Sequence, residues 1–170
     1  MKTKLFTSKN LILLGFAFII SIFGCNKVDT PNENDVLVGK FTWSEWQKGA
    51  GWSDYSAPNY NPTKEITDTI SNLMAKKDIS FIIFGSSWCP DCASEMPKIM
   101  KLFKLAGFDQ EKVVIYGLDK AKTEPTGTHL QYEIKRVPTL IILVANGEID
   151  RIVEFPKVSW ENDLLSILEK

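Results

Sequence analysis

The run Ile79 to Phe84, ISFIIF, is short, apolar but for one serine, and rich in β-branched residues; after four intervening residues comes Cys89-Pro90-Asp91-Cys92, heading a helical pattern. A run of this length and composition reads as a strand buried on both faces. Two cysteines three positions apart between such a strand and a helix can be a redox couple, half a metal site or a local staple. A structural zinc site usually takes four N or S ligands, and beyond the pair the chain offers only His129 and Cys25. A disulfide across two intervening residues closes too small a loop to stabilise much. Redox chemistry needs nothing beyond the pair itself, and no cofactor is expected.

The punctuation around this centre predicts the remaining elements. Val36, Val38, Phe41 and Trp43 could form a first strand. Asn61 is a candidate N-cap with Pro62 at the first helical position, and Ile66, Ile70, Leu73 and Met74 make one apolar stripe of a helix. The helix after the cysteines should run to about Ala106, interrupted by Pro97 and ended by Gly107. KVVIYGL (Lys112 to Leu118) is a second buried strand, Asp119 to Gly127 a loop, and THLQYEIKR a short helix carrying His129. PTLIILV and GEIDRIVEF are two strands joined through Asn146-Gly147, a strong hairpin signal. SWENDLLSILEK is a closing helix capped by Ser159. The expected order is β-α-β-α-β-α-β-β-α. Residues 36–62 hold three of the five tryptophans among Gly and Pro, aromatics that either pack on the core or line a groove.

The chain's 170 residues and 44% hydrophobic content suit one compact domain plus extras and exclude a multi-span membrane protein. The extras lie at the front. Lys2, Lys4 and Lys9 precede LILLGFAFIISIFG (Leu11 to Gly24), an uncharged stretch short of the roughly 20 residues a span needs. It reads as a secretory signal over residues 1–24. The following residues resemble a bacterial lipobox, IFGC, which implies that Cys25 carries lipid. Residues 25–35 are polar and read as a flexible tether. Without residues 1–24 the balance is 17 basic to 21 acidic, about −4, with no basic block, so nucleic acid is not an expected partner.

From about Ile66 to Lys170 the chain resembles the thioredoxin superfamily, on WCPDC between a buried strand and a helix, Pro97 five residues past the second cysteine, and RVPT (Arg136 to Thr139) heading a hairpin strand. Within it, CASEMP is similar to the membrane-tethered bacterial thioredoxins of the TlpA and ResA type. The resemblance implies an α/β thioredoxin fold, a central mixed sheet flanked by helices, over residues 63–170, with 36–62 as an aromatic-rich N-terminal extension. It implies a monomeric thiol-disulfide oxidoreductase, anchored by lipid in the cell envelope. Its partners would be exported proteins with disulfides and a membrane thiol electron donor.

The same resemblance assigns roles to residues. Cys89 at the helix N-terminus, where unpaired N–H groups favour a thiolate, would be the nucleophile and Cys92, one turn in, the resolving thiol. Pro138 would follow a cis bond, offering the backbone of Val137 to an extended substrate, and Trp88 would be a platform beside Cys89. Pro90 and Asp91 would tune the pair, since a nearby acid disfavours thiolate and makes the dithiol easier to oxidise. Ile83 stands where thioredoxin has a buried Asp, which leaves Glu95 as the best nearby acid to relay the Cys92 proton, unless it is a solvated helix-face residue. The expected direction is reduction. An oxidase or isomerase, or a non-catalytic binding module, are the alternatives.

Overall fold

The computed structural model describes residues 36–52 and 55–170; the expected signal segment, Cys25 and the tether lie outside them. Five strands form one mixed sheet: β1 (Gly39–Phe41), β2 (Ile79–Gly85), β3 (Val114–Gly117), β4 (Thr139–Val144) and β5 (Gly147–Val153), in the order β1-β3-β2-β4-β5. The apolar run expected to be buried on both faces is the central strand. β2 pairs in parallel with β3 (Ile83 opposite Ile115) and antiparallel with β4 (Phe81 opposite Ile142). No helix among the described residues is long and apolar enough to cross a membrane.

Alternation along β2 places its neighbours. Phe81 stacks on Phe103 of α3 (Pro90–Leu105) with centroids 4.2 Å apart, so Phe81, Ile83 and Gly85 face that helix. On the opposite face Phe84 stacks on Tyr116 and packs against Tyr132, which follows the short α4 (Thr128–Gln131). A Cβ at Gly85 would meet Met96 Sδ at 2.6 Å, so a larger residue there would require the Met96 side chain to move. The closing helix α5 (Trp160–Leu168), capped by Ser159 as expected, packs on α3 and on α2 (Lys64–Met74).

Four local expectations are corrected. The extension expected to hold a first strand through Trp43 contains a helix from that residue, α1 (Trp43–Gly49), made by a reciprocal capping box: Glu45 N–H donates to Thr42 Oγ1 and Thr42 N–H to Glu45 Oε2. It buries Trp43 and Trp46, and with Trp52 these tryptophans pack on the core; Tyr55 stays exposed. Helix α2 begins two residues late, with Thr63 as its N-cap, because the Asn61 side chain donates to the Pro58 carbonyl and accepts from Lys101. Helix α3 runs unbroken through Pro97, whose missing N–H deprives only the Ala93 carbonyl while Met96, Ile99, Met100, Leu102 and Phe103 stay buried. Its end is the expected one: Gly107 takes φ +74° and Phe108 N–H donates to the Phe103 carbonyl at 2.8 Å. The hairpin also forms, but its two left-handed residues are Ala145 and Asn146, one position early, with Gly147 opening β5.

Candidate active site

The chain leaves β2 at Gly85, turns through Ser86 to Trp88, and enters α3 with Cys89 as its N-cap and Pro90 at the first helical position. Proline suits that position because the N–H it lacks would have no partner there, and its φ is already helical. Two bonds shape the turn. Cys89 N–H donates to the Ser86 carbonyl at 3.1 Å, and Ser86 N–H donates to Cys92 Sγ at 3.3 Å. The turn is also tied to the N-terminal extension, since Leu37 N–H donates to Ser87 Oγ at 3.0 Å.

Both cysteines are free thiols, but they are not equivalent. Cys89 is 8% exposed and Cys92 is fully buried. Burial pushes the Cys92 thiol well above its ordinary range; the Ser86 amide opposes this, while Cys89 and the charge of Asp91 add to it. Asp91 itself is exposed in the first turn of α3. The Val137–Pro138 peptide bond is cis, and the Val137 carbonyl lies 3.8 Å from Cys89 Sγ. The structure thus gathers Cys89, Cys92, Val137 and Pro138, with Trp88 at the rim, 37% exposed.

Glu95 is not a solvated helix-face residue, and its direct partners are not the cysteines. It is buried, with Ser94 Oγ (2.9 Å) and Lys98 Nζ (2.6 Å) donating to one oxygen and Trp160 Nε1 (2.8 Å) to the other. Neither oxygen hydrogen-bonds a cysteine sulfur. Burial alone would raise its pKa, but Lys98, Trp160 and Ser94 outweigh that and hold the carboxylate below its ordinary value. His129 is buried too and pairs with Glu124 at 3.1 Å, in a cluster with Thr126 whose donors pull Glu124 down to about 2 against its burial. That cluster orders the loop before α4. Among the described residues no three His, Cys, Asp or Glu side chains converge as a metal site would need.

Two participants escaped the sequence reading. Ser86 is fully buried and its hydroxyl hydrogen-bonds no protein group. Its only signal was its place between a buried strand and the cysteines. Trp160, the clamp on Glu95, had none, because it is 65 residues away in sequence. The extension adds a surface feature: Tyr55 to Pro58 lie over the outward stripe Pro90, Ala93, Ser94 and Pro97 of α3, enclosing a mostly apolar cleft of about 630 Å³.

Residues 57–164 match a family model described as Thioredoxin. The chain is similar to a thioredoxin of Staphylococcus epidermidis, 29% identical over 107 residues that are 62% of this chain and 94% of that one. A thioredoxin of Staphylococcus aureus is 28% identical over the same shares. In fold it resembles a crystal structure of a protein of unknown function from Pseudomonas aeruginosa, with a TM-score of 0.50, 15% identity, and coverage of 76% of this chain and 98% of that one.

Proposed function

The chain belongs to the thioredoxin family, and on that premise we propose that it is a thiol-disulfide oxidoreductase that reduces disulfides of exported proteins. The observation that carries the reading is the asymmetry of the pair: Cys89 stands at the N-cap of α3 beside the cis-proline loop while Cys92 is sealed beneath it.

Cys89 attacks one sulfur of the substrate disulfide, a new S–S bond forms to Cys89, and the other substrate sulfur leaves as a thiolate and is protonated. Cys92 then attacks Cys89 Sγ. The bond to the substrate breaks, the second substrate sulfur takes the proton that Cys92 gave up, and two electrons have passed from the dithiol to the substrate. Trp88, the Val137 backbone and the apolar cleft along α3 are the surfaces against which the substrate chain would lie, in extended form.

The cellular setting is part of the proposal. Cys25 carries lipid and holds the domain at the envelope membrane as a monomer, in the manner of the TlpA and ResA type. A membrane thiol donor returns the two electrons after each turnover.

The test is to trap partners with the full-length chain. Cys92→Ser should accumulate mixed disulfides with exported proteins through Cys89, and these should vanish when Cys89→Ser is added. Absence of any such adduct would favour a non-catalytic binding module instead.

A further inference from the structure

Among the described residues, the buried polar side chains Thr67, Glu95, Glu124, His129 and Thr139 each hydrogen-bond another protein group. The Ser86 hydroxyl, equally buried, does not. The other unpartnered group, Trp46 Nε1, belongs to a rigid ring packed against Gly85 and Gly117 and has no small rotor with which to find a partner. A serine oxygen changes position by rotation between staggered wells about the single Cα–Cβ bond. An unpaired buried hydroxyl at the centre of a reactive site calls for a partner that appears in another chemical state.

That partner is at hand. The backbone N–H of Ser86 already donates to Cys92 Sγ at 3.3 Å, so its hydroxyl is carried on the residue that touches the resolving sulfur. A thiol is a weak acceptor, whereas a sulfur that has lost its proton is an anion and accepts strongly. The competing groups are engaged elsewhere or apolar: both oxygens of Glu95 are held by Ser94, Lys98 and Trp160, and Ile83 of β2 brings no polar atom. We infer that the Ser86 hydroxyl is the donor that rotates onto Cys92 Sγ as that sulfur ionises, and so assists the resolving step. The inference rests on the mixed-disulfide reading above. In that step the S–S bond between Cys89 and the substrate breaks, the Cys89–Cys92 bond forms, and the Cys92 proton ends on the departing substrate sulfur. Ser86 gives a hydrogen bond and keeps its own proton.

The experiment is a single turnover of the reduced full-length chain with glutathione disulfide. Mass spectrometry of quenched samples separates formation of the Cys89–glutathione adduct from its decay to the Cys89–Cys92 disulfide. In Ser86→Ala, adduct formation should keep its wild-type rate while decay slows about tenfold, the loss of one modest hydrogen bond to a charged group. The groups that bear on Cys92 ionisation are Cys89, consumed in the adduct, and Asp91, unchanged by the substitution. The pH profile of decay should therefore keep its shape and move up by about one unit. The thermal midpoint should not fall, because the variant removes an unpaired polar group. Decay at the wild-type rate, or an equal slowing of both steps with no displacement of the pH profile, would overturn the inference and leave the reductase reading standing. Failure of the wild type to form any Cys89 adduct would instead overturn the reading beneath it.

Discussion

A carboxylate buried three residues from a redox cysteine invites a proton-transfer role, yet every oxygen of Glu95 is already engaged. Lys98, Ser94 and Trp160 hold it ionised, which makes it a fastening between α3 and α5. Glu95→Gln keeps an acceptor for Trp160 but loses the ion pair. Because Lys98 is a third exposed, the expected cost at neutral pH is about 1–2 kcal/mol, well short of that for a fully buried pair. The sign with pH follows from the depressed carboxylate: its contribution is complete above the unfolded-state value of about 4.3 and is lost as pH falls through the lower folded-state value. Urea unfolding of wild type and Glu95→Gln should thus converge in acid, with adduct resolution changed less than about twofold. A larger loss of resolution with stability intact would restore the relay.

At the scale of elements, α1 and the turn before α3 carry the consequences. The capping box at Thr42 and Glu45 fixes a helix whose tryptophans wedge between the sheet and the chain that follows, with Trp46 edge-on to Phe41 and to Trp52, each at 5.7 Å. Thr42→Ala should cost about 1 kcal/mol in chemical denaturation and leave the rate of Cys89 adduct formation unchanged. If adduct formation slowed as well, the Leu37 to Ser87 tie would be transmitting the state of the extension to the active turn. The legibility of the fold divides along the same line. β2, the C-terminal end of α3 and the β4–β5 hairpin were readable because their signals are local: a β-branched run, a glycine just past a helix end, an Asn-Gly pair between two apolar runs. Helix α1 was missed although T-W-S-E is a capping box, because the spacing of Val36, Val38, Phe41 and Trp43 suggested a strand, and only its Gly39–Phe41 core pairs with β3. Of the site, the cysteine pair was legible as a local motif, and the cis-proline loop was legible only through the family resemblance. The fate of Glu95 was not, since it depends on Trp160, and neither was the isolation of the Ser86 hydroxyl, which depends on what the core fails to supply.

For the whole molecule, a strand fully enclosed by its sheet delivers two cysteines to a helix N-terminus, and a separate hairpin brings a cis-proline to face them. Burial leaves the two thiols unequally exposed, and Asp91 adds negative charge beside Cys92. Both effects disfavour thiolate, and a dithiol denied that stabilisation gives up its electrons readily. The central claim is that this chain reduces, and it is tested most directly by the equilibrium midpoint potential of the Cys89–Cys92 couple, measured on the full-length chain in thiol-disulfide buffers of known poise. The expected value lies near that of thioredoxin, about −270 mV, and below about −180 mV. A midpoint above about −180 mV, toward the −120 mV of a strong disulfide oxidant, would contradict it.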